Sequence, residues 1–145
     1  MSLIIGIDPD SSAHGVAFYK DGILVDLAEL QLLHIIEYTK KFDTSDEKIL
    51  FCIEDVCANN FVYKQKQTKR AGVNMDIARK VGKCQQSQIE LIRFLEFFNI
   101  QYKLFKPQAG NWANNEEQFK RLTGWAKRSN KDTRSAAFFG YLGGK

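Results

Sequence analysis

Cysteine, histidine and long apolar runs are all scarce in this sequence of 145 residues, and each scarcity removes a class of function. Only Cys52, Cys57 and Cys84 are present, an odd number without a C-x-x-C pair, so the chain carries no disulfide framework pattern. Two histidines beside them make too poor a ligand supply for a structural zinc site, and reduced thiols in a cytoplasmic protein are the expectation. The central apolar run, Ile49-Leu50-Phe51-Cys52-Ile53, is far too short to cross a bilayer. No basic segment followed by an apolar signal core opens the chain, so neither export nor a membrane partner is expected. A glycine-rich phosphate loop is also missing, which argues against a nucleotide-binding fragment of the sugar-kinase kind.

Acidic residues are missing from two particular stretches. Val56 to Lys83 and Lys120 to Lys145 together hold 14 of the 21 basic residues but only 2 of the 17 acids. The net charge of +4 therefore hides a polarised chain, one suited to a polyanion gripped by two basic segments or, more simply, to solvated lysine-rich surfaces. The length fits a single domain over 1–145 with one core.

Along the chain, Leu3 to Ile7 reads as a buried strand that Asp8-Pro9 ends, since Pro9 cannot continue a ladder. Gly15 to Tyr19 and Ile23 to Leu30 follow as strands joined by an Asp21-Gly22 turn, an antiparallel meander. A helix is predicted from about Leu32 to Phe42. Ile49 to Ile53 then reads as a strand covered on both faces, and a helix preceding it points to a parallel crossover. Ala58 to Asn74 is polar, basic and without clear period, and reads as a long loop. From Met75 a long helix is predicted, with Ile89, Ile92, Leu95 and Phe98 at three- and four-residue intervals. Tyr102 to Phe105 is a further strand, Glu116 to Leu122 a short helix closed by Gly124, and the last helix begins near Asp132.

Three acids occupy informative places. Asp8 and Glu54 end strands, and Asp132 opens the final helix. Each alone is an ordinary strand-end or N-cap residue. Together, two buried carboxylates on neighbouring strands would repel, and a hard divalent cation relieves that repulsion. A pair of such ions activates water against a phosphodiester.

Leu3-Ile4-Ile5-Gly6-Ile7-Asp8-Pro9-Asp10, followed by His14-Gly15-Val16-Ala17, resembles the opening of the RuvC-like Holliday-junction resolvases, of the ribonuclease H-like class. Phe51-Cys52-Ile53-Glu54-Asp55-Val56 resembles their second motif, Val81-Gly82-Lys83-Cys84-Gln85-Gln86 the start of their long helix, and Asp132-Thr133-Arg134-Ser135-Ala136-Ala137 their terminal motif. The resemblance implies an α/β fold with a five-stranded mixed sheet flanked by helices, first and fourth strands adjacent. It implies Asp8, Glu54 and Asp132 as catalytic ligands of two magnesium or manganese ions, and a homodimer that cuts branched DNA symmetrically. By analogy it also suits the cytoplasm of a bacterial or phage-infected cell.

Two positions depart from the pattern. Asp10 stands where many relatives have glycine, and Ser135 where the terminal motif expects a second acid. A serine there can touch a metal-bound water but supplies no carboxylate. One metal is then held more weakly, another group such as Asp10 or His14 substitutes, or the chain is inactive. Asp55 alternates with Glu54 and should face the other way. Lys64, Lys66, Lys69 and Arg70 are candidate phosphate contacts, with Lys83, Lys127, Arg128 and Arg134 beside them, while Phe61 and Tyr63 either stack on unpaired bases or pack under their loop. Two functions stay open against junction resolution: a non-catalytic DNA-binding protein of this fold, and a related nuclease on flaps or RNA–DNA hybrids.

Overall fold

The computed structural model describes residues 2–39, 48–58 and 71–145. Its strands are β1 (Ser2–Asp8), β2 (His14–Lys20), β3 (Ile23–Leu30), β4 (Lys48–Glu54) and β5 (Gln101–Phe105). Its α-helices are α1 (Leu32–Thr39), α2 (Ala71–Phe97), α3 (Glu116–Thr123) and α4 (Lys131–Gly143), with a short 3-10 helix at Trp112–Asn114. The sheet runs in the order β3-β2-β1-β4-β5. β1 to β3 form the expected antiparallel meander, and β4 pairs in parallel with β1 on one side and β5 on the other. This is a mixed five-stranded sheet flanked by helices.

Strand parity decides what each face meets. Leu3, Ile5, Ile7, Phe51 and Ile53 are fully buried in one core with Ile35 of α1 and Leu91 and Leu95 of α2. Ala17 and Tyr19 lie in a second core with Trp112, Phe119 and the Ala136 to Phe139 stretch of α4. Both faces are therefore covered, which is why β1 and β4 read as nearly continuous apolar runs.

Two elements differ from expectation. α2 begins at Ala71, inside the stretch read as a loop, because the poor helix formers Gly72 and Asn74 mask its first turn in the sequence. The 3-10 helix had no periodic signal. Trp112 anchors it, buried against the rings of Phe119, Phe138 and Tyr141. Among the described residues no helix is long and apolar enough to cross a membrane.

Candidate active site

Asp8 and Glu54 are the last residues of β1 and β4, and the parallel register that sets Ile7 beside Ile53 brings their ends together. Both have the parity opposite to Ile7 and Ile53, so both belong to the face that α4 covers. Asp55 takes the other face. Its carboxylate accepts from Gln88 Nε2 at 2.9 Å, and Gln88 in turn accepts from the Val56 N–H at 2.7 Å. Asp55 thus ties β4 to α2, as its alternation with Glu54 predicts.

The third acid arrives by close packing. Asn130 caps α4 in a reciprocal capping box with Thr133, which fixes Asp132 in the first turn. A Cβ at Gly15 would stand 2.3 Å from the Asp132 carbonyl oxygen, and one at Gly6 would stand 2.0 Å from that of Ala136. Only the absence of side chains at these two strand positions lets α4 lie against β1 and β2. Tyr19 locks the contact, its hydroxyl donating to the Ala137 carbonyl at 2.6 Å.

The electrostatics are those of crowded carboxylates. Burial, then Glu54 and Asp132, push the Asp8 carboxyl from 3.8 up to about 8, against a lowering hydrogen bond from Ser135. Burial alone raises Glu54 to about 7. Asp132 is raised by burial and by Asp10 and Glu29, with Lys80 pulling it down. Asp8 and Glu54 line a cleft of about 370 Å³ with Lys80, Cys84 and the apolar side chains of Val56, Ile77 and Val81. The Cys84 thiol is pushed up, chiefly by burial, and stays protonated near neutral pH.

Ser135 is 3% exposed, and its hydroxyl accepts from Asn111 Nδ2 at 2.8 Å. His14 is no surface residue. It is 4% exposed, burial lowers its pKa, and its Nδ1 accepts from the Asp10 N–H at 3.2 Å. It lines a neighbouring cleft with Asp10 and Lys83. Asp10 adds negative charge that Asp8 and Asp132 both feel.

Among the predicted phosphate contacts, Lys83 is exposed on that neighbouring cleft. Lys127 and Arg128 are exposed just before α4, with Lys127 over the Trp125 ring at 5.7 Å. Arg134 is a correction. Its side chain is 11% exposed, its Nη2 and Nε donate to the Ala113 carbonyl at 2.9 and 3.3 Å, and its Nη1 donates to Ser129. The guanidinium binds the 3-10 helix to α4 because α4 turns that face inward, so three of its five donors serve the fold. Lys64, Lys66, Lys69 and Arg70, with Phe61 and Tyr63, lie outside the described residues. Sequence reasoning missed Lys80 and Asn111. Lys80 was one cation of a basic stretch, and only the packing of α2 shows that it lines the carboxylate cleft.

The residues fit a hard divalent ion in a limited way. Among the described residues no three His, Cys, Asp or Glu side chains stand close enough to hold one ion. The three predicted ligands therefore form no closed cage: Asp8 and Glu54 are the pair, and Asp132 acts on Asp8 from one side. Magnesium is commonly held by one or two carboxylates plus waters and phosphates, and a carboxylate pair starved of counter-charge suits it.

No family model matches the sequence, and no curated protein matches it. Solved structures do. The structure of Thermus thermophilus RuvC in complex with Holliday junction substrate aligns at a TM-score of 0.61 and 11% identity, over 97% of this chain and 91% of that one. Another Thermus thermophilus RuvC structure aligns at 0.59 and 13% identity, over 96% of this chain and 91% of that one. At such identities the likeness is one of fold, and the fold of this chain is that of RuvC, ribonuclease H-like as its motifs led us to expect.

Proposed function

We propose that this chain is a metal-dependent endonuclease that hydrolyses phosphodiesters of branched DNA, four-way junctions foremost. The observation that carries the reading is the meeting of Asp8 and Glu54 at the ends of adjacent parallel strands, in a cleft with Lys80 on its wall. Magnesium or manganese held there, two ions when the site is full, supplies an activated water and charge neutralisation at the leaving oxygen. Asp8 and Glu54 are the residues to bind it, and Asp132 adds a carboxylate from α4. Lys80 attracts the phosphate into the cleft, and α4 closes the other side against water. The two base-rich segments supply the long-range attraction for a polyanion, and a homodimer would present two such clefts to two strands of a junction.

The test is cleavage of a labelled four-way junction with magnesium and then manganese, beside duplex, flap and RNA–DNA hybrid. Paired symmetric nicks are expected, reduced at least ~100-fold by Asp8→Asn, as loss of a metal ligand requires. Cleavage of flap or hybrid alone would move the substrate and keep the chemistry. No cleavage of any substrate sinks the enzyme reading.

Ser135 and the absence of a three-ligand group among the described residues favour a second reading, a junction-binding protein without catalysis. It predicts tight, salt-sensitive binding that metal leaves unchanged and that no nick accompanies.

A further inference from the structure

Beside the carboxylate cleft lies a second one, of about 440 Å³, in which the proposed chemistry has no part. His14, the first residue of β2, lines it at 4% exposure. It shares the parity of Val16 and Phe18, so its ring lies on the sheet face that α1 and α2 cover. Its Nδ1 accepts the Asp10 N–H at 3.2 Å, which leaves the ring proton on Nε2. Among the described residues no acceptor meets that proton. A buried donor left so costs free energy until a ligand or water supplies the acceptor. On the α2 wall, Gln86 donates its Nε2 to the Glu90 carboxylate at 2.9 Å, so its amide oxygen is left to accept.

We propose that this second cleft receives one unstacked nucleobase of the DNA strand whose phosphate lies at Lys80. The proposal rests on reading the carboxylate cleft as the place where the DNA backbone lies. Asp8 and Pro9 line that cleft and Asp10 lines the second, so the two are contiguous along the chain. Lys80 of the first and Lys83 of the second are three residues apart on α2, hence neighbours on one face. A backbone held at Lys80 continues past Lys83, and a base turned out of its stack there enters the cleft. A base fits better than a further phosphate. Asp10 and Glu90 repel an anion, whereas the edge of a base offers the acceptors and donors that His14 Nε2 and Gln86 Oε1 call for. The volume is within the range of small-molecule sites.

The probe is 2-aminopurine, which brightens on leaving the base stack, placed in turn at each position around the crossover of a four-way junction. Binding is followed with a chelator present, so that no strand is cut. Wild-type protein should brighten one position, and an abasic site there should weaken binding ~5-fold or more, the worth of one or two hydrogen bonds. His14→Asn keeps an oxygen for the Asp10 N–H and loses the Nε2 donor. Ser87→Leu fills the cleft from α2 with a better helix former, and it carries the test if His14→Asn does not fold. Each variant should abolish the brightening and bind the intact junction as weakly as wild type binds the abasic one. A bound junction with no bright position overturns the subsite, and so do variants that brighten it as wild type does. A bright position lost in the variants, in a protein that cleaves no substrate once metal is added, sinks the nuclease reading and leaves the subsite intact. Cleavage without a bright position sinks the subsite alone, and no junction binding at all sinks both.

Discussion

Asp8 gathers most of the site's energetics in one carboxyl group. Burial and the charges of Glu54, Asp132 and Asp10 raise it to about 8, and Glu54 stands at about 7. Both are raised acids, so between the ordinary carboxylate range and these values the folded chain holds protons that the unfolded chain has released. Stability without metal must therefore fall as pH rises through that window, and it is at its best below it. Urea unfolding at pH 5 and pH 8.5 in the presence of a chelator should show the midpoint dropping at the higher pH. Asp8→Asn should flatten that dependence and stabilise the metal-free protein at pH 8.5 by about 0.5–2 kcal/mol, the usual gain on removing strain from a functional site. A midpoint independent of pH would refute the crowded-carboxylate account. Arg134 and Lys127 make the opposite point about charge at this scale. Arg134→Ala should cost stability, about 1–3 kcal/mol for the half-buried carbonyl left unpaired, without changing the salt dependence of DNA binding. Lys127→Ala should leave stability alone and reduce the slope of log affinity against log salt by about 0.9, the value of a single neutralised phosphate. Filter binding across a salt series, with thermal melts beside it, distinguishes the two.

Among the elements, α4 is the one on which the site depends. It crosses β1 and β2 at a distance that only Gly6 and Gly15 permit, and it carries both Asp132 and Ser135. Gly15→Ala should displace the first turn of α4, lowering junction cleavage far more than it lowers the melting temperature. Gly6→Ala meets the middle of the helix and should cost about 1–3 kcal/mol as overpacking does. If Gly15→Ala cleaves like wild type, Asp132 is not held where catalysis needs it. The same elements mark how far the sequence could be read. Strands of apolar residues stopped by Asp8-Pro9 and Glu54-Asp55 were legible, as was the Asp21-Gly22 turn, where both residues take positive φ of 51° and 83°. The start of α2 was not, because Gly72 and Asn74 weaken helical propensity there. The 3-10 helix was not legible either, being three residues with a single buried anchor.

The whole molecule sets a carboxylate cleft in a chain whose bases crowd into two stretches, and its architecture is that of RuvC. Lys80 and Lys83 of the first stretch reach the two clefts at the strand ends, while Lys127 and Arg128 of the second precede α4. Local pattern alone determined the strands and the last helix, the charge polarity and the three acids worth watching, because apolar period, breakers and composition act over a few residues. The motifs added the class of fold. Tertiary structure alone decided which charges are available. Arg134 and Lys127 read alike in sequence, yet one is spent on a half-buried carbonyl and the other stands in solvent. It also decided that His14 is buried, that Lys80 lines one cleft with Asp8 and Glu54, and that the Ser135 hydroxyl accepts from Asn111. These facts depend on the approach of α2 and α4 to the sheet, a distance set by side-chain volume between residues far apart in the chain, which no local pattern encodes.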